Sequence, residues 1–314
     1  MVAASGVRIG WADLPGRIRE RVEQIIGGGP VVEARSQSGG FSPGTADRVR
    51  TADGRRAFVK AVSSELNVVS TVMARREVRI ATLLPRDAPA PRLLGWFEET
   101  EDDGNEWVVL VLEDVEGAHP RTPWVESEID AAAAALTDLA QALTPAPAVD
   151  LPRVPDYIAD DFACWGWLAE RTPADLDPWL ARNLGALGAA ADRGLAAISE
   201  GETLTHCDIR ADNLLVRPDG RIIVVDWPWG AVGPAWLDTV LLSINVLVHG
   251  GDASRLLTDV DHDSAVGVIA GFTGYFQWWC RQPPPPSLPT VRAFQRFQGD
   301  ALIPWLRRHI TKTV

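Results

Sequence analysis

The chain has 314 residues, 46% hydrophobic and 23% charged, which fits a packed globular protein of about two domains and excludes a disordered one. Its net charge of −12, with no cluster of Lys and Arg, disfavours a nucleic-acid partner, and no apolar run approaches a membrane span. Cys164, Cys207 and Cys280 show no C-x-x-C spacing, and MVAASGVRIGW lacks the basic and apolar regions of a signal peptide, so the expected location is a reducing cytoplasm.

Residues 12–26 carry Leu14, Ile18, Val22, Ile25 and Ile26 at helical spacing, and Gly27 to Gly29 stop that helix. A strand at 31–37, a Gly-rich turn at 38–44 and a strand at 46–51 follow. Asp53-Gly54 turns the chain into a third strand, 57–62. A helix is predicted over 66–84, ending before Pro85, and then strands at 91–99 and 106–113. The first third is thus a five-stranded sheet with one long helix after the third strand. Beyond the short segment 113–117 the chain becomes largely helical, over 125–142, 156–170, 175–199, 235–249, 263–281 and 290–311. The tetraproline at 283–286 is a stiff spacer. The expected fold class is α+β in two lobes: 1–112, a connector at 113–117, and 118–314.

One segment interrupts the helices, THCDIRADNLLVRPDGRIIVVDW (205–227). It holds His206, Asp208 and Asn213 as H-x-D-x-x-x-x-N and an apolar run ending at Asp226. LLV and RIIVV read as short strands joined by the turn RPDG, so a tight hairpin brings Asn213 and Asp226 to the same end. Phosphoryl transfer needs a carboxylate at the attacking hydroxyl and oxygen ligands for magnesium near the phosphates. Asp208 can be the first; Asn213 and Asp226 can be the second. Each alone is ordinarily a turn or cap residue.

The upstream segment supplies the complement. Ser38, Gly39, Gly40, Phe41 and Ser42 lie in SGGFSPG between two strands, where glycines let backbone amides approach phosphate oxygens and Ser42 can add a hydroxyl. Of 30 Lys plus Arg only Lys60 and Lys312 are lysines. A lysine kept in so arginine-rich a chain stands out, because the two cations differ in shape and charge density. Lys60, on the third strand, would reach the α- and β-phosphates. Glu77 on the following helix would hold it by an ion pair, with Glu65 as a rival partner.

These pieces (SGGFSPG, Lys60 in AFVKAV, Glu77, VLEDVEG, HCDIRADN and VVDW) resemble the aminoglycoside phosphotransferase family of small-molecule kinases, relatives of the eukaryotic-type protein kinases. The resemblance runs from about residue 30 to Asp238. It implies a protein-kinase-like fold and use of ATP, with GTP as the alternative, and Mg2+. It also implies Asp208 as catalytic base, Asn213 and Asp226 as metal ligands and Lys60 at the phosphates. The Glu113 carbonyl and Val115 amide would hold the adenine edge, and Asp238 would brace the catalytic loop. Two departures stand out. Cys207 occupies a position where the family often has Gly; it reads as a packed thiol. Trp227-Pro228-Trp229 replaces the Phe-Gly of protein kinases, and no A-P-E follows. Arg210 stands where protein kinases carry a Lys facing the transferred phosphate; a salt bridge with Asp212 or another acid is the alternative.

The expected partner is a small-molecule hydroxyl acceptor, and the net charge is compatible with a cationic one. In this family the helices at 156–170 and 263–311 flank the acceptor. Asp156, Asp160, Asp161 and Glu170 are candidate ammonium ligands, and Trp165, Trp167, Trp278 and Trp279 candidate aromatic faces; a solvated acidic face and core tryptophans are the plainer alternatives. The substrate classes are an aminoglycoside, an amino sugar or aminoalcohol, or a peptide in biosynthesis. A nucleotide-binding pseudokinase is the competing class, which the intact set Lys60, Glu77, Asp208, Asn213 and Asp226 disfavours. Nothing in the sequence sets an oligomeric state.

Overall fold

The computed structural model describes residues 8–37, 43–148, 150–285 and 288–310. These form two compact units that interleave in the sequence: 4–119 with 212–230, and 120–211 with 231–314.

In the first unit, helix α1 (Gly16–Ile26) precedes strands β1 (Val31–Ser36), β2 (Thr45–Thr51) and β3 (Arg56–Ser63). Helix α2 (Val68–Ala81), β4 (Leu93–Thr100) and β5 (Glu106–Leu112) complete it. The sheet is antiparallel in the order β1-β2-β3-β5-β4. Its faces follow the period-two alternation of a strand. Trp107, Val109 and Val111 pack with Trp11, Ile18 and Val22 from the α1 side, whereas Val108, Leu110 and Leu112 pack with Ala74 and Val78 of α2. Both faces are covered, which is why WVVLVL reads as an unbroken apolar run. The first helix starts at Gly16 and not at 12, because Pro15 precedes it and residues 11–13 form a separate 3-10 turn. Asn67 caps α2 by accepting from the Ser70 amide at 2.9 Å.

The hairpin β7 (Leu214–Val216) and β8 (Ile222–Val224) belongs to the same unit, with Leu214 opposite Val224 and Val216 opposite Ile222. Two loops tie it down. Ala118 exchanges both backbone hydrogen bonds with Val216, at 3.0 and 2.7 Å, and the Val224 amide donates to the Pro89 carbonyl at 2.7 Å. Gly117 is needed at the first contact, since a Cβ there would stand 2.8 Å from the Val216 carbonyl oxygen.

The second unit is mainly helical. It contains α3 (Glu126–Ala142), α4 (Pro155–Phe162), α5 (Cys164–Glu170), α6 (Pro178–Arg182) and α7 (Leu184–Ile198). After the strand pair β6 (Thr203–Thr205) and β9 (Ala231–Gly233) come α8 (Leu237–Val248), α9 (His262–Trp279) and α10 (Val291–His309). The helix expected over 156–170 is two, parting at Ala163 as Phe162 and Trp165 turn against Gly271 and Gly274 of α9. The helix expected over 175–199 is also two. Asp177 caps Pro178–Arg182 at one end, and Asn183 closes the other by donating to the Trp179 carbonyl at 2.7 Å. Part of the tetraproline segment, at 286, lies outside the described residues.

Helices α7 and α9 approach most closely at Gly194 and Gly267. A Cβ on Gly194 would meet the Gly267 carbonyl carbon at 2.3 Å, and one on Gly267 would meet the Gly194 nitrogen at 2.5 Å. Backbone on both sides leaves nothing to rotate away. Gly267→Ala is therefore expected to lower unfolding free energy by about 1–3 kcal/mol, the usual cost of overpacking. Urea unfolding measures it, and an unchanged midpoint would refute the contact.

Candidate active site

The candidate residues divide between the two units. In the first, Lys60 sits on β3 opposite Leu110 of β5, and Glu77 on α2. The Lys60 Nζ donates to Glu77 Oε1 at 2.7 Å, to Oε2 at 2.8 Å, and to Asp226 Oδ1 at 2.5 Å. The rival Glu65 takes no part in this set. Burial pulls the Lys60 ammonium down, but Asp226 and Glu77 outweigh it and hold the pKa well above the ordinary lysine value. Glu77 is pushed upward by burial, and Asp226 adds to that push; the Lys60 charge and the Trp227 amide pull the other way. Two carboxylates compete for the Lys60 ammonium, and the Arg8 guanidinium also acts electrostatically on Asp226.

The hairpin positions the remaining oxygen donors of this unit. The Val225 amide donates to the Asn213 carbonyl at 2.9 Å just beyond the last paired residues, Leu214 and Val224. Asn213 and Asp226 therefore emerge from the same hairpin end, as the RPDG turn requires. Asp226 has φ 69°, a left-handed conformation that Asp tolerates better than most residues. Behind it, the Trp227 ring nitrogen donates to the Val224 carbonyl at 3.0 Å, Arg76 of α2 stands 5.8 Å over the Trp229 ring, and Gly230 packs on Ile80. The helix that carries Glu77 thus also seats the segment that carries Asp226.

The connector has a brace that sequence reasoning did not find. Asp114, 3% exposed at its side chain, accepts from Arg48 Nε at 2.5 Å and Arg56 Nε at 2.7 Å, which locks it to β2 and β3. The neighbouring Glu113 amide donates to the Arg92 carbonyl at 2.8 Å, and its carboxylate pairs with Arg92. Ser38 to Ser42 lie outside the described residues.

In the second unit, Asp238 of α8 holds the loop after β6. Its Oδ2 accepts from the His206 amide at 2.8 Å and its Oδ1 from the Cys207 amide at 3.0 Å. Burial pushes the Asp238 carboxyl up, and the two amides with His206 act against that. The Asp208 amide donates to His206 Nδ1 at 3.2 Å. Arg210 Nη1 pairs with Asp208 Oδ1 at 2.9 Å, so an acid it meets is the candidate base itself. The loop's far end is held by Asn245, another residue that sequence reasoning missed. Its Oδ1 accepts from the Ala211 amide at 3.3 Å and from the Trp124 ring nitrogen at 3.0 Å. A buried Asn inside the apolar helix LLSINVLV was the available signal.

Cys207 has φ 66°, which explains why a glycine suits that position. Its sulfur lies 3.0 Å from Thr205 Oγ1. Burial pushes the thiol pKa well up, Asp238 adds to it, and Thr205 opposes it, so the group stays a neutral thiol.

On the acceptor side the tryptophans differ. Trp165 is 1% exposed and donates to the Ala270 carbonyl at 2.8 Å, which makes it core and corrects its assignment as an aromatic face for a ligand. Trp167 and Trp278 contact each other at 5.3 Å between ring centroids. Trp279 donates from its ring nitrogen to Asp161 Oδ1 at 3.3 Å, and Arg292 lies 5.1 Å over its ring. Asp156, in the first turn of its helix, accepts from the Arg153 amide at 2.8 Å. Burial pushes Asp161 up to about 6, and the Trp279 bond counteracts only part of that.

The chain matches the model of the APH phosphotransferase enzyme family over residues 38–275. The two-lobed kinase-like fold first defines the class, and solved structures share it at low identity. An aminoglycoside phosphotransferase solved with GDP and kanamycin is 14% identical, with 95% of this chain and 99% of that one covered and a TM-score of 0.61. An amicoumacin kinase solved with AMP-PNP, Ca2+ and amicoumacin is 11% identical, with 92% and 94% covered and a TM-score of 0.59. The choline kinase of Streptococcus pneumoniae is 15% identical, with 91% and 97% covered and a TM-score of 0.57. No curated protein sequence matches the chain. The chain belongs to the APH phosphotransferase enzyme family and is a phosphotransferase. Among the described residues, no helix is long and apolar enough to cross a membrane.

Two expectations follow from this geometry. Cys207→Gly is expected to leave the melting temperature close to wild type, whereas Cys207→Val, β-branched at positive φ, is expected to lower it markedly; equal melting of the two would refute the conformational argument. Asp161 is raised from 3.8 to about 6, so the folded state binds its proton more tightly than the unfolded state does. Its contribution is present below pH 3.8 and is lost as pH rises through about 6. Asp161→Asn should remove that component from the pH dependence of melting, and an unchanged slope across the window would contradict the burial argument.

Proposed function

We propose that the protein transfers the γ-phosphate of ATP to a hydroxyl of a small molecule, with Asp208 as the catalytic base. The observation that carries this reading is Lys60 held between Glu77 and Asp226. The triad keeps an ammonium charged, rigid and half-buried, ready for phosphate oxygens, where a preorganised cation offsets developing charge. Ser38 to Ser42 would contribute backbone amides to the phosphates, and the Glu113 carbonyl and Val115 amide the adenine edge. The segment 113–117 acts as the hinge of this reading, and the Asp114 brace supports a fixed course for it. GDP in one relative and AMP-PNP in another keep GTP as the alternative to ATP.

The donor set fits a hard divalent cation. Asn213 and Asp226 offer oxygen ligands of the kind such a cation takes. Mg2+ bound there would neutralise charge on the nucleotide phosphates. Asp208 would orient the acceptor hydroxyl and take its proton as the oxygen–phosphorus bond forms and the nucleoside diphosphate leaves. Asp238, through the His206 and Cys207 amides, would hold Asp208 in place. Arg210 starts on Asp208 and can pass to the transferred phosphate, whose charge it would offset.

Aminoglycoside, amicoumacin and choline kinases among the structural relatives support an acceptor that joins a hydroxyl to a cationic amine. The exposed Asp160 and half-buried Asp161 would serve such an amine. Three free cysteines, Cys164, Cys207 and Cys280, fit a cytoplasmic location.

The test is phosphate transfer from ATP with magnesium to a panel of aminoglycosides, aminoalcohols and hydroxylated peptides. Asp208→Asn should lower kcat by about 10²–10⁴-fold while nucleotide binding persists. Lys60→Met and Asp226→Ala should each lower kcat/KM for ATP by about 10²-fold. Full activity of Asp208→Asn would sink the assignment, and nucleotide binding without transfer to any acceptor would favour a regulatory pseudokinase.

A further inference from the structure

We propose that His262 and His309 form an open binding site for a late divalent transition-metal ion of the copper, nickel or zinc class. His262 is the first residue of α9 and His309 the last of α10. Their Nε2 and Nδ1 atoms stand 3.2 Å apart, with ring centroids at 5.4 Å and planes tilted by 39°. Two imidazole nitrogens bound at about 2.0–2.1 Å to one ion are about 2.9 Å apart at a right angle and about 3.4 Å apart at the tetrahedral angle. The observed separation falls between these limits, so small ring rotations suffice to admit the ion.

Both rings are held from behind. His309 stacks on Trp305 at 3.9 Å between centroids and 18° between planes. His262 Nδ1 faces Asp263 Oδ1 at 3.4 Å. In the tautomer with the proton on Nδ1, toward that carboxylate, the Nε2 lone pair faces His309, the support that metal-ligating histidines usually have. Without metal, His309 Nδ1–H donates to that lone pair. On binding, the His309 proton moves to its outer nitrogen, both facing nitrogens become ligands, and no net proton is lost.

The surroundings favour a cation. Asp261, which caps α9 through Ser264, acts electrostatically on His262, and Asp263 adds a second carboxylate; Arg308 is the opposing charge at His309. Among the described residues, no group of three or more His, Cys, Asp or Glu converges on one metal position. Water therefore fills the remaining positions, and the site is weaker than a closed structural one. Imidazole ligands suit copper, nickel and zinc, with Cu2+ the tightest, whereas Mg2+ prefers oxygen. The site is thus chemically separate from any magnesium at Asn213 and Asp226, and its occupancy would join the ends of two packed helices.

The untagged full chain, free of nucleotide, is titrated with CuCl2 and ZnCl2 by calorimetry, and the copper form is examined by electron paramagnetic resonance. One equivalent of Cu2+ is expected, with hyperfine structure from two imidazole nitrogens. His262→Gln and His309→Gln should each weaken binding at least tenfold, Asp263→Asn by about 10–100-fold, and His249→Gln not at all, with matched melting temperatures as the folding control. No stoichiometric uptake by wild type, undiminished binding by the His262→Gln/His309→Gln double variant, or a copper spectrum with sulfur donors would overturn the proposal. Because the resonance signature is read on the wild type, the proposal is tested even where a variant fails to fold.

Discussion

The interaction on which the first unit is organised is the ammonium of Lys60 between the carboxylates of Glu77 and Asp226. It joins three elements that the sequence separates widely: a central strand, the helix packed on it, and the residue after the hairpin. A buried ion set of this kind is poor evidence for stability, since desolvation offsets most of the Coulomb gain. Its geometry has a different use. Both carboxylates share the Lys60 charge, and Asp226, the more exposed partner at 44%, also feels the Arg8 guanidinium. Under the proposed function, a divalent cation would bind at that more exposed carboxylate.

The second constraint is backbone conformation. Cys207 and Asp226 are the non-glycine residues at positive φ among the described residues, and each lies at a proposed functional turn. Such positions persist only where the surroundings over-determine them. At Cys207 the two carboxylate oxygens of Asp238 hold successive amides, and at Asp226 the Trp227–Gly230 segment packs on α2. Polar contacts fix the turn at Cys207 and packing on α2 fixes the one at Asp226, and of the two residues so held only Asp226 is proposed for chemistry.

The elements were legible where pattern was strong. The five strands of the sheet, the long helices and the 214–225 hairpin follow from periodicity and turn chemistry, and the retained lysine marked β3. Breaks at Ala163 and Asn183 were not legible, because they answer to packing against glycines of α9 and to a side-chain cap. The three-residue strands β6 and β9 were missed for a related reason. They pair across 25 residues of intervening chain, here Thr205 with Ala231, and so short a strand has no periodicity of its own. Trp165 shows the opposite error: its type suggested a ligand face, and its depth makes it core.

Asn245 and Asp114 show what a polar residue in an unexpected place can signal. Each is a buried acceptor that serves two donors, and each braces a segment to which a function is assigned from elsewhere in the chain. Asn245 stands in a helix with little other polarity, and Asp114 in a connector among four other residues of ordinary composition. Asn245 carries no motif and Asp114 has no role of its own in VLEDVEG; each matters for its donors, the Ala211 amide and Trp124 ring nitrogen in one case and the Arg48 and Arg56 guanidinium groups in the other. The residues proposed for phosphoryl transfer are thus the ones that a motif makes visible. In each unit they are backed by buried acceptors, Asp238 and Asn245 in one and Asp114 in the other, whose spacing in sequence is set by where the helices and strands that bear them come to rest.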